Sequence, residues 1–125
     1  MTLQEFRNSL RNDQPPRDLG VALVGLWWDA KGDWTRAHES AQQDEGPSGA
    51  WAHAYLHRKE GDASNAEYWY RRAHKTPSPA SLEQEWTEIA EALLREASAS
   101  SAYGSNPFNR PHALNIAEAE QRRKV

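Results

Sequence analysis

The chain contains no cysteine, which excludes a disulfide scaffold, a thiol nucleophile and a thiolate metal site. No apolar run approaches the roughly 20 residues that a membrane span needs. The N-terminal stretch MTLQEFRNSL is too polar for a secretory signal, so a cytoplasmic location without a membrane partner is expected. An excess of positive charge is missing too: 15 Lys and Arg stand against 18 Asp and Glu, a formal net charge of −3. That balance removes the long-range field of a general nucleic-acid binder, and no nucleic-acid partner is expected. Alternating β-branched runs bounded by hairpin turns are absent, as are phosphate loops, dinucleotide fingerprints, serine elbows and calcium loops. What is left is 125 residues, 38% of them hydrophobic. A chain of that size can close one small core without covalent staples.

Helix punctuation is abundant, and the pattern reads as all-α. Thr2-Leu3-Gln4-Glu5 has the form of a capping box before an apolar stripe of Leu3, Phe6 and Leu10 that should end near Asn12. Pro15 and Pro16 suit the start of a second helix, with Leu19, Leu23, Leu26 and Trp27 at helical spacing and Gly32 as its left-handed stop. Asp33 caps a third helix bearing Trp34, Ala37, His38 and Ala41. A fourth is expected from Ser48 to about Glu60, a tight turn at Gly61-Asp62, and a fifth to about Lys75. Pro77 and Pro79 forbid its continuation. Ser81-Leu82-Glu83-Gln84 then opens a sixth helix with Leu82, Trp86, Ile89, Ala90 and Leu93 on one face. Glu83, Glu85, Glu88 and Glu91 are expected to form its solvated outer face. The composition changes after Ala97, so residues 1–97 form the predicted domain, 98–110 a linker or mobile arm, and 111–125 a short C-terminal helix or tail.

Shifting the chain by 29 residues pairs Gly32-Asp33 with Gly61-Asp62, Ala37 with Ala66, and Gly25 with Ala54. Such an offset predicts two copies of one helical hairpin. Gly25, Trp28, Gly32 and Ala37, then Ala54, Gly61, Ala66, Tyr70 and Ala73, fall at spacings that resemble tetratricopeptide repeats. The block 66–73, AEYWYRRA, is similar to the second helix of a Sel1-like repeat. More narrowly, HAYLHRKEGD at 53–62, followed by Asn65-Ala66 and YWYRRA at 68–73, resembles small stand-alone bacterial proteins that carry no assigned activity. The resemblance covers about residues 22–75 and implies antiparallel hairpins, two repeats plus capping helices, in a compact right-handed bundle. Its 29-residue period is shorter than the usual period of about 34.

Two constellations carry chemistry. His53 and His57 stand four apart on one helix and Glu60 three further on, a spacing that can turn all three toward one divalent metal. A further ligand must come from another helix, and His38, Glu39, Glu67 and His74 are the suppliers. The same imidazoles, read as structure alone, sit beside aromatic rings and satisfy themselves by hydrogen bonds. A metal-dependent or acid/base enzyme is the alternative function that this set predicts. The second constellation is aromatic: Trp27, Trp28, Trp34, Trp51, Tyr55, Tyr68, Trp69, Tyr70 and Trp86 crowd one short stretch. Adjacent helical residues diverge by about 100 degrees, so some of these rings must leave the core. A concave face centred on Trp51, Tyr55, Arg58, Tyr68 and Arg72 is therefore expected to bind a protein or peptide, with no catalytic residue assigned. Arg71, Arg72 and Lys75 also suit the negative end of the fifth helix. The open ends of a short array make a homodimer a further expectation.

Overall fold

In a computed structural model, residues 1–103 are described. They contain helices α1 (Leu3–Asn8), α2 (Val21–Ala30), α3 (Trp34–Gln42), α4 (Pro47–Glu60), α5 (Ala63–Arg72) and α6 (Leu82–Tyr103), with a short 3-10 turn at Ser9–Arg11 and no strand. The expected all-α class is what these residues form.

Local chemistry accounts for most boundaries. At α1 the Thr2 hydroxyl accepts from the Glu5 amide at 3.1 Å while the Glu5 carboxylate accepts from the Thr2 amide at 2.8 Å, a reciprocal cap that satisfies two orphan donors. Helix α2 starts at Val21 and not at the prolines, because Asp18 interrupts the chain in the left-handed region at φ 65°. Pro47 occupies the first turn of α4, where its missing N–H has no consequence. Helix α5 stops at Arg72, short of Lys75, since His74 turns left-handed at φ 59°. Helix α6 continues to Tyr103, past the expected boundary at Ala97. The remainder of the expected 98–110 linker, and the expected 111–125 helix or tail, lie outside the described residues.

The α2–α3 and α4–α5 corners have matching geometry. Gly32 and Gly61 adopt φ of 85° and 90°, and the next residue's amide bonds back to a carbonyl five residues earlier, Asp33 to Trp28 and Asp62 to His57, both at 2.9 Å. Asp33 and Asp62 then cap α3 and α5 by accepting from the amides of Arg36 and Asn65. A Cβ on Gly25 would stand 3.0 Å from the Ala37 carbonyl oxygen, so glycine there lets α2 and α3 pack closely.

The core joins Phe6, Leu23, Leu26, Trp27, Leu56, Trp86 and Ile89. Helix α6 packs on α2 and α4 and also meets α1. Trp86 stacks on Phe6 with centroids 5.7 Å apart and donates from Nε1 to the Leu26 carbonyl at 2.9 Å, so its polar edge is satisfied inside the core. Helix α3 packs on α2 and α4, and α5 on α4.

This packing corrects two expectations. Glu85 is not on a solvated face: it is 0% exposed, because its register three after Leu82 and four before Ile89 places it on the apolar stripe that α6 buries. It accepts from Arg58 Nη1 at 2.7 Å, and the Tyr70 hydroxyl lies 2.8 and 2.6 Å from its two oxygens. Tyr55 and Arg58 likewise offer little free surface to a partner, since α6 lies against α4, the helix that carries both. Tyr55 is 2% exposed and donates to the buried carboxylate of Asp29 at 2.9 Å. Arg58 is committed to Glu85 and to the Ala80 carbonyl.

Candidate functional site

Where α3, α4 and α5 meet, three imidazoles converge. His53 and His57 are one turn apart on α4, which stacks their rings with centroids 4.8 Å apart. His38 enters from α3, in the turn after the Asp33 cap, and its ring centre lies 4.4 Å from His53 and 5.2 Å from His57. One ring nitrogen from each of the three lies within 4.8 Å of the others. His38 Nε2 and His53 Nε2 are 2.8 Å apart in a hydrogen bond, one imidazole donating and its partner accepting.

Two indoles hold these rings. Trp69 of α5 stacks on His53 with centroids 3.9 Å apart and planes 20° from parallel. Trp34 of α3 stacks on His38 at 4.7 Å and 16°. His53 and His57 are buried and His38 is partly exposed. Burial is the main cause that drives the His53 imidazole down to about 3, with the neighbouring His38, His57 and Arg72 acting in the same direction. Burial, followed by His57, lowers His38 as well. Both rings are therefore neutral at pH 7, the state in which imidazole offers a lone pair.

Glu60 takes a different place from the one expected. Its carboxylate does not join the three nitrogens but sits 2.6 Å from His57 Nδ1. A carboxylate on one ring nitrogen orients the imidazole and raises the basicity of the other, as the outer partners of metal-bound histidines do. Among the expected suppliers, His38 alone completes a group with His53 and His57 within the described residues; Glu39, Glu67 and His74 do not. A second group, His57 with Glu60 and Asp62, is less available, because the Asp62 carboxylate is occupied in capping α5 through Asn65.

The remaining aromatic residues border this cluster. Tyr68 is 45% exposed, its ring edge-on to Trp69 at 5.2 Å. The Arg72 guanidinium carbon lies 5.1 Å from the Trp69 ring centre and 5.7 Å from that of Tyr68, whose hydroxyl oxygen accepts from Arg72 at 3.0 Å. Trp51 is partly buried, with the Lys75 ammonium 4.2 Å from its ring centre. Of the five residues expected on a partner face, Trp51, Tyr68 and Arg72 keep access to solvent, whereas Tyr55 is buried and Arg58 is only partly exposed.

Comparison of this chain with family models, with curated proteins and with solved structures finds no match. Among the described residues no helix is long and apolar enough to cross a membrane.

Proposed function

We propose that this is a small helical protein that binds a divalent transition metal through His38, His53 and His57. The observation that carries the reading is the convergence of three imidazole nitrogens from two helices within 4.8 Å. Two features support it: Glu60 anchors His57 through Nδ1, and all-imidazole sets suit zinc, copper, nickel and iron. A tetrahedral zinc with bonds of about 2.0–2.1 Å needs nitrogens about 3.4 Å apart. The 2.8 Å pair would open slightly and the third nitrogen draw in. The tetratricopeptide/Sel1-like architecture belongs to the same proposal, supported by the matching glycine-aspartate corners and by the close approach at Gly25.

The test is thermal unfolding of chelator-treated, untagged protein with zinc, nickel or cobalt added. A ligand at a hundred times its dissociation constant stabilises by about 2.7 kcal/mol, a rise in Tm on the order of 10 °C for a domain this small. His38→Ala and His53→Ala should abolish the rise, and Glu60→Gln should weaken metal affinity about 10–100-fold. An unchanged Tm with all three metals returns the cluster to a structural role.

The second reading, a protein or peptide contact, rests on Tyr68, the largest exposed ring among the described residues, beside Arg72, Trp69 and Trp51. In that reading the rim of the imidazole cluster is the contact surface.

A further inference from the structure

We infer that the site takes an exogenous oxyanion, a carboxylate or a tetrahedral oxyanion group, as fourth ligand of the metal, with Arg72 as its second anchor. The inference rests on the metal reading and specifies what the site recognises. Among the described residues no fourth His, Asp or Glu groups with His38, His53 and His57. Three protein ligands leave one tetrahedral position open, the arrangement of sites that accept water or substrate and not of closed structural sites. The Glu60 carboxylate is engaged at His57 Nδ1.

Arg72 supplies the second half. The His53 ring and the Arg72 guanidinium both contact Trp69, at 3.9 and 5.1 Å from its centre. The guanidinium carbon therefore lies no further from the imidazole centre than those two distances combined. Arg72 is exposed, and among the described residues no carboxylate pairs with it; its hydrogen bond goes to the Tyr68 hydroxyl oxygen. Tyr68 and Trp69 flank the guanidinium and Tyr68 takes one of its N–H groups, which leaves other N–H donors for an incoming oxyanion. Arginine is suited to that contact because its fork can engage two oxygens at once. The charge of a metal-bound oxyanion is what a guanidinium on the same rim attracts. The mixture of an aromatic rim with one unpaired cation accommodates a peptide carboxylate or a small acid and disfavours a cation.

The experiment uses the full chain loaded with cobalt(II), whose visible spectrum reports its coordination. Acetate, as the carboxylate probe, and sulfate, as the tetrahedral probe, are titrated separately at constant ionic strength into wild type and Arg72→Gln. The expected result is a spectral change that saturates in at least one arm, with half-saturation at least tenfold higher in Arg72→Gln while cobalt affinity stays within twofold. The responding arm identifies the oxyanion class. Equal half-saturation in both proteins overturns the role of Arg72, and no spectral response to either anion from a stoichiometric cobalt complex overturns the open position and with it the inference. Failure of wild type to take up cobalt, with His38→Ala indistinguishable from it, instead overturns the metal reading on which this one stands.

Discussion

At His53, burial opposes protonation from every side. The ring lies under Trp69, bonds to His38, stacks on His57 and feels the charge of Arg72. Its folded value of about 3 lies below the ordinary 6.5, so between these values the unfolded chain holds a proton that the folded chain refuses. Stability from this residue is complete above about pH 6.5 and is lost as the pH falls toward 3. In metal-free protein the urea-unfolding free energy should therefore decline from pH 7 to pH 4. His53→Gln should flatten that decline, leaving the smaller slope due to His38, whose basicity is lowered in the same direction. A variant that retains the full slope would show that the neutral His53 ring is not what acid attacks. Zinc at neutral pH would hide the effect, because its binding itself competes with protons.

Helices α2, α4 and α5 end in the same way, and α5 does so with the wrong residue. The amide of Lys75 reaches the Tyr70 carbonyl at 3.0 Å, as Asp33 and Asp62 reach Trp28 and His57, and the left-handed position falls on His74 at φ 59° where the other two ends use glycine. A side chain in that region costs on the order of 1 kcal/mol relative to glycine. His74→Gly should therefore stabilise the protein by roughly 0.5–1 kcal/mol, part of the gain being offset by the freedom glycine adds to the unfolded chain. Gly61→Ala, at φ 90°, should destabilise it by about 1 kcal/mol or more. Urea unfolding of both variants checks the pair, and opposite signs are the expected outcome. These corners were legible in the sequence because a glycine followed by a capping aspartate is a local signal. The start of α2 was not, because Pro15 and Pro16 suit a helical first turn and nothing local announces the break at Asp18. The imidazole cluster was half legible. The spacing of four fixes His53 and His57 on one face, whereas only the packing of α3 on α4 selects His38 from the four possible suppliers. Glu60 was found by spacing and misjudged in role, since three residues along a helix permit contact with His57 itself as readily as with a shared metal.

Across the whole molecule, a single buried carboxylate fastens α6 to the α4–α5 hairpin. Glu85 receives Arg58 from α4 and Tyr70 from α5, so three helices meet at a group that is 0% exposed. Burial and the Glu85 partner raise the Tyr70 hydroxyl above its ordinary value, and hydrogen bonding to Glu85 raises Arg58 likewise. Both donors therefore keep their protons throughout the neutral range. Glu85 was legible only by asking which charged residue breaks an apolar stripe: 82, 85, 86, 89 and 93 share one face of α6, and the acidic neighbours at 83, 88 and 91 disguise the one that turns inward. Truncating one partner of a buried pair leaves the other charge uncompensated at about 3–5 kcal/mol, while replacing both with apolar groups of similar volume is often neutral. Arg58 is partly solvated, with its side chain 27% exposed, so its loss belongs at or below the lower end of that range. Arg58→Met should cost about 2–3 kcal/mol. Glu85→Leu should cost a similar amount, because it strands both the guanidinium and the Tyr70 hydroxyl. The triple variant Arg58→Met/Glu85→Leu/Tyr70→Phe should recover most of the loss, giving a coupling of about 1–3 kcal/mol among the three sites in urea unfolding. Strict additivity would mean that α6 is held by its apolar stripe alone and that the buried carboxylate does not tie the α4–α5 hairpin to it. Because the three imidazoles come from α3 and α4, and no hydrogen bond or ring contact joins them to Arg58, Tyr70 or Glu85, zinc-induced stabilisation should persist in the triple variant, which separates the fastening of α6 from the integrity of the site.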